Sequence, residues 1–329
     1  MSARLVRTAV IATGLLVISG CGSEKVAGSS PPGSTAAPSS TSSTGSTSSP
    51  TTPPVKTATC PARAQQSPTW VPQPATLAGT SDSLVPPGVP TSAVICSYPA
   101  GTNMDQQVAG KTFPLATSTT LAAGLDRIPN DLGYQMRARS SVRACTAAGG
   151  PVTNQLLGLT YPTGTVWVAA QDDPNNCSTT SNGTFTADPA FGRVLTDSAK
   201  QARWVAPPRD GGCSRGTGRV GSDRDLIPGD PIGFTVCDAS NAMRPPSAAL
   251  RTEVIRVLGA LPTTTAQGWS SCGQAPKPQQ NRSLVFDYAS GPAVSIDVFV
   301  GCTPELMGAG RQAKSAAPIV ALLRENGYL

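Results

Sequence analysis

The chain of 329 residues contains no histidine. Ser-His-Asp and Cys-His catalysis, histidine-ligated zinc and histidine proton transfer all require an imidazole, so they are excluded. No Cys-x-x-Cys pair occurs, which argues against a redox dithiol. Charged residues are only 13% of the chain and aromatic residues 5%. The net charge is +6, or +4 (6 − 2) once Arg4 and Arg7 are removed with an export signal. That mild excess is not a nucleic-acid footprint, and no nucleic-acid partner is expected. The apolar run from Ala9 to Ile18 is too short to span a bilayer, which takes roughly 20 residues.

That run is nevertheless informative, because it follows Arg4 and Arg7 and precedes small residues and a cysteine, the order of a cleaved export signal over residues 1–20. Ile18-Ser19-Gly20-Cys21 resembles the lipobox of bacterial lipoproteins, with an aliphatic residue and two small ones ahead of the cysteine. The resemblance implies that the Cys21 sulfur takes a diacylglyceryl group and that cleavage falls just before it. Two acyl chains, at about 0.8 kcal/mol per buried CH₂, hold a protein on a membrane where one is marginal. The expected location is the outer face of the cytoplasmic membrane, with the lipid on Cys21 as the membrane contact. Residues 21–58 form a tether rich in Ser, Thr, Gly, Pro and Ala, which buries too little apolar surface to order itself. The Ser/Thr/Pro tether and the Ala, Gly, Pro and Arg content resemble those of uncharacterised lipoproteins of high-G+C Gram-positive bacteria, a likeness that implies no activity.

Eight cysteines remain beyond Cys21: Cys60, Cys96, Cys145, Cys177, Cys213, Cys237, Cys272 and Cys302. An even number in an exported chain reads as a disulfide framework, although eight cysteines allow 105 pairings. Their order suggests a duplicated unit. The first four precede the second four by 153, 141, 127 and 125 residues, and the falling offsets place extra loop residues in the first copy, some of them near Lys111-Thr112-Phe113-Pro114. Cys145, Tyr161 and Gly164 recur as Cys272, Tyr288 and Gly291 at a displacement of 127, and Leu121, Leu125, Ile128 and Pro129 recur as Val254, Leu258, Leu261 and Pro262 at 133. The apolar trios predict one helix face in each copy, closed by the proline.

Each copy, 59–208 and 209–329, reads as β-α-β-β-α. The expected strands are Ser92 to Tyr98 and Gly233 to Cys237. The expected hairpins are Gln155–Tyr161 with Thr165–Ala170, and Ser283–Tyr288 with Ala293–Val300. Closing helices are expected from Pro189 onward and over 310–325. The fold class is α+β: two tandem disulfide-bridged copies, each an antiparallel sheet with helices on one face. In this topology Cys145 with Cys177 and Cys272 with Cys302 flank the open end of a hairpin, which leaves Cys60 with Cys96 and Cys213 with Cys237.

Weaker patterns have bland explanations. Gly216-Thr217-Gly218-Arg219-Val220-Gly221 matches G-x-G-x-x-G but follows no strand, so a loop between the copies is expected. Gly110-Lys111-Thr112 ends like a phosphate-binding loop, yet Asp105 stands where the leading glycine is needed. Asp172, Asp173, Asn175, Asn176, Asn182 and Asp188 could offer calcium oxygens, but the spacing fits turns better. Arg193, Lys200, Arg203, Arg209, Arg215, Arg219 and Arg224, beside Asp197, Asp210 and Asp223, read as a solvated connector, with contact to anionic polymers as the alternative. Of Trp70, Trp167, Trp204 and Trp269, which could stack sugars, Trp167 aligns with Val294 and reads as core.

No catalytic residue, metal or cofactor is therefore expected. The favoured reading is a monomeric, non-enzymatic binding or scaffolding module whose ligand is an envelope protein, peptide or wall polymer. The alternative is a carboxylate-dependent hydrolase of envelope glycans using Asp287 and Asp297, which needs the two carboxylates roughly 5 to 9.5 Å apart.

Overall fold

A computed structural model describes residues 56–102, 110–138, 148–175, 178–188, 190–208, 213, 219–220, 225–240, 242–266, 271–272, 281–308 and 310–329. These belong to one compact unit, Pro53–Leu329. The signal, Cys21 and nearly all of the tether lie outside the described residues, as do Cys145, Cys177 and Trp269.

The first half begins with a strap that carries β1 (Arg63–Gln65). There follow β2 (Ser92–Thr102), β3 (Thr112–Pro114), β4 (Thr117–Thr120), a 3-10 turn (Leu125–Arg127) and α1 (Ile128–Gly133). The half ends with β5 (Pro151–Tyr161), β6 (Gly164–Asp172), β7 (Thr180–Ser181), β8 (Thr186–Ala187) and α2 (Gly192–Gln201). The strands form an antiparallel sheet in the order β4-β2-β5-β6-β7-β8. The second half contains β9 (Gly233–Cys237), β10 (Met243–Arg244), α3 (Ala248–Ala260), β11 (Thr264–Thr265) and β12 (Ser271–Cys272). It continues with β13 (Arg282–Asp287), β14 (Val294–Val298), β15 (Cys302–Thr303), β16 (Leu306–Gly308), β17 (Arg311–Ala313) and α4 (Ala317–Glu325). Its main sheet, also antiparallel, has the order β10-β9-β13-β14-β16-β17-β11.

Side-chain alternation sends each strand's residues to two faces, and the two sheets use those faces differently. In the first sheet, Ile95, Leu157, Leu159, Tyr161, Val166 and Val168 pack with Leu195 of α2 and with Ile128 and Leu132 of α1. The other face, with Val94, Cys96, Tyr98, Leu156, Trp167 and Ala169, is covered by Ala64 and Val71 of the strap and by Phe113. Burial on both faces explains why β5 reads as a nearly unbroken apolar run from Leu156 to Tyr161. The strap is fixed by the Cys60–Cys96 disulfide, by Tyr98 Oη donating to Pro61 O at 2.8 Å and by β1 pairing with β3. The extra residues expected near Lys111 thus supply the strap's partner strand. In the second sheet, Phe234, Val236, Leu284, Phe286, Val294, Ile296 and Val298 meet α3 and α4. Its opposite face carries half-buried Ser283, Ser295 and Asp297 with exposed Asp287, so β14 keeps the alternation its sequence predicts.

Among the described residues three disulfides join Cys60 to Cys96, Cys213 to Cys237 and Cys272 to Cys302, the pairings the hairpin topology suggests; the expected Cys145–Cys177 bridge lies outside them. Cys272 and Cys302 lie opposite each other where β12 pairs with β15, beyond the open end of the β13–β14 hairpin. A loop of this length contributes about 3 to 4 kcal/mol in the chain-entropy account.

Two expectations fail. Leu121, Leu125 and Ile128 do not share a helix ended by Pro129: residues 121–124 are irregular, and Pro129 sits in the first turn of α1. Proline lacks an amide hydrogen, so it is as compatible with a helix start as with a stop, and spacing alone does not choose between them. In the second half α3 does end before Pro262, with Ser247 Oγ accepting from Leu250 N at its start. The other failure is the match of Trp167 to Val294. Tyr161 opposes Gly164 across the first hairpin and Phe286 opposes Val294 across the second, so the second turn holds one more residue. A one-residue slip reverses the faces. Trp167 is buried among the residues under the strap, over Gly158, while Val294 faces the helices. The closing helices also start later than expected, at Gly192 and Ala317; in the second half β17 occupies 311–313.

Burial pushes the Tyr98 hydroxyl up from 10.0 to about 12 and raises that of Tyr161 as well. Unfolded phenols ionise near 10. These groups therefore leave stability unchanged below about pH 10 and remove it progressively as pH rises toward 12, where the unfolded chain binds fewer protons than the folded one. Spectrophotometric titration should show at least two of the five tyrosines ionising only as the protein unfolds. Normal titration of all five in the folded protein would contradict the burial.

Candidate functional site

The carboxylates proposed for hydrolysis are not brought together. Ser283 lies opposite Asp297, and Asp287 is four residues farther along β13. At about 3.3 Å per residue their Cα positions are offset by about 13 Å along the sheet, beyond the separations of roughly 5 to 9.5 Å that glycosidases use. Asp297 instead accepts a hydrogen bond from Ser283 Oγ.

The oxygen-rich loop after β6 is turn chemistry. Asp173 Oδ1 accepts from Asn175 N at 2.8 Å, and Asn175 exchanges two hydrogen bonds with the backbone of Ala148. Asn182 is fully buried and bonded in five directions: Nδ2 donates to Thr80 O, Ser83 O and Leu84 O, and Oδ1 accepts from Thr184 N and Phe185 N. It fastens the strap's far end to the turn between β7 and β8. Among the described residues no cluster of His, Cys, Asp or Glu could hold a metal ion, and Asn176 lies outside them. Lys111 sits over the Phe113 ring, 5.4 Å from its centroid, in a strand context unlike a phosphate-binding loop. Trp70 borders a small crevice with Gln65, Ser67 and Asn154 between the strap and β5–β6.

The most elaborately built polar centre is one that sequence reasoning placed in a solvated connector. Arg193, Lys200 and Arg203 are indeed exposed on or just after α2. Arg209, Asp210, Arg215, Asp223, Arg224 and the glycines of the G-x-G-x-x-G match lie outside the described residues. Arg219, within that match, is only 3% exposed. Its guanidinium lies between two rings, 3.7 Å from the Tyr134 centroid and 3.9 Å from that of Tyr288. Its nitrogens donate to Pro228 O at 3.2 Å, Ser290 O at 3.1 Å and Asn130 Oδ1 at 3.5 Å. A guanidinium can satisfy this arrangement because it is flat enough to stack and carries five fixed donors; an ammonium cannot.

Beside it, Asp131 is 1% exposed. In α1 it follows Ile128 by three residues and precedes Leu132, so helical spacing places it on the buried face. Its Oδ2 accepts from Trp204 Nε1 at 2.7 Å and its Oδ1 from Gly291 N at 2.6 Å. Gly291, at φ 84°, turns the β13–β14 hairpin, and a Cβ there would stand 2.3 Å from Asn130 O and 2.6 Å from Arg219 Nη1. Glycine is therefore required twice, by conformation and by space. Trp204 is explained by the same centre, as a hydrogen-bonded core residue and not a stacking platform. The available sequence signals were a carboxylate on the apolar face of a helix and an arginine set among glycines.

Replacing Asn182 with alanine leaves three carbonyls and two amides without their partner in a dry site. The expected loss, about 3 kcal/mol or more, should appear as a lower denaturation midpoint at unchanged slope. A loss below about 1 kcal/mol would show that water replaces the side chain.

No protein-family model matches this chain, and neither a curated protein nor a solved structure matches it significantly.

Proposed function

We propose that this chain is an exported lipoprotein, held on the outer face of the cytoplasmic membrane by lipid on Cys21, whose body is a non-enzymatic binding or scaffolding module of the cell envelope. The observation that carries the reading is the combination of Ile18-Ser19-Gly20-Cys21 behind an apolar run with three disulfides among the described residues of the body. Structural disulfides belong to oxidising compartments. Among the described residues no helix is long and apolar enough to cross a membrane; the assignment of the attachment to lipid rests on the Ile18-Ser19-Gly20-Cys21 pattern. The ligand class is an envelope protein, peptide or wall polymer. The wide offset of Asp287 from Asp297 gives the hydrolase alternative no support.

The body is read as two tandem copies, 59–208 and 209–329, behind the tether of 21–58. What supports duplication is register. Cys96 pairs with Leu156, and Cys237 pairs with Ser283. Leu156 and Ser283 are 127 residues apart, the same displacement that relates Tyr161 to Tyr288 and Gly164 to Gly291. The cysteine-bearing strand thus meets its hairpin at the same step in both halves. Coincidence of sequence offset and pairing register is not required by either sheet alone.

Replacing Cys21 with alanine is expected to abolish metabolic labelling by radioactive fatty acid and to release the body from the membrane fraction. Labelling that persists in the variant would refute the anchor. Capture from solubilised envelopes by the disulfide-intact chain should return one saturable partner, whereas turnover of wall glycan by the pure protein would refute the non-enzymatic reading.

A further inference from the structure

The segment joining the two halves would serve as a hinge if it were solvated. Instead its Arg219 is buried, and the groups around it come from both sides. Tyr134 and Asn130 belong to the first half, while Tyr288 and Ser290 belong to the hairpin end of the second. Val220 N donates to Tyr134 O at 3.0 Å, fixing the connector's backbone as well. Asp131 repeats the arrangement with opposite charge, since one oxygen holds Trp204 of the first half and the other holds the amide of Gly291 in the second.

We infer that this joint is a built-in coupling device that makes the two apolar cores one cooperative unit, so that neither half opens without the other. Separating the halves would strip Asp131 of Gly291 N, and would strip Arg219, on the connector, of either Tyr134 and Asn130 or Tyr288 and Ser290. Each charge would be left buried with part of its shell missing. Removing one side of a buried charged contact is strongly unfavourable even where the intact contact adds little net stability. The two halves also approach closely at the joint, where the Gly291 backbone stands so near Asn130 O that a methyl group does not fit. Two cores of this size would otherwise be free to unfold separately. The inference is independent of the anchor and of the ligand: it says that a partner meets a body of fixed geometry, with no inter-half closure available as a switch.

Calorimetry of the detergent-solubilised, disulfide-intact chain, combined with hydrogen exchange read by mass spectrometry, tests this. The wild type should melt in one transition with equal calorimetric and van't Hoff enthalpies. Peptides from β5–β6 and from β13–β14 should lose protection together. R219M, which keeps the apolar stem and removes the stacked donor, should split the melt into two transitions separated by about 4 °C or more, with the two sets of peptides exposed in sequence. D131N should shift both sets. Two transitions in the wild type would overturn the inference whatever the variants do, and so would an R219M protein that still melts in one transition at an unchanged midpoint.

Discussion

A guanidinium removed from water must find five donors' worth of partners and a place for its flat faces, and around Arg219 the fold is arranged to meet that demand. Two tyrosines clamp it, and three oxygens from three separate segments receive its hydrogens. Asp131 imposes a matching demand from inside a two-turn helix. Together they fix where α1, Trp204, the connector and the β13–β14 turn stand relative to one another. Gly291 is the residue that lets the turn come close enough. The two sheets then have one relative placement, with specificity supplied by charge and polar geometry where apolar packing alone would tolerate sliding.

The disulfides work at a different level. Cys60–Cys96 fastens a strap of irregular chain across the second face of the first sheet, and so converts a face that would otherwise be wet into a core containing Trp167, Tyr98 and Phe113. Cys272–Cys302 closes a hairpin beyond the last ladder pair. Halves of this size bury most of their surface unaided, so the bridges supplement the cores and chiefly restrict the unfolded chain. Their presence suggests an oxidising, extracytoplasmic environment, which is what the export signal proposed for the amino terminus would require.

Much of this architecture was legible because period-two alternation and turn residues leave strong marks. Both hairpins, the strand carrying Cys237 and helix α3 follow from them. What was not legible has specific causes. Pro129 marks a helix boundary without saying which one. A single extra residue in the second hairpin turn shifts β14 by one step, which moves Val294 to the helix face and leaves Trp167 without the partner the spacing assigned to it. Arg219 lies in a run of basic residues and glycines whose ordinary meaning is a solvated loop, and only tertiary neighbours more than 60 residues away reveal its burial. Asp131 was hidden for the same reason, since its partners Trp204 and Gly291 are remote in sequence.

The functional reading joins an oxidised, stapled body to a lipid at Cys21, and the mass of the native protein tests both at once. Intact mass spectrometry of the protein extracted from membranes without reductant should give a chain beginning at Cys21 that carries at least a diacylglyceryl group, eight hydrogens lighter than the fully reduced form. A mass corresponding to an unacylated chain, or to one with free thiols at the eight remaining cysteines, would contradict the account.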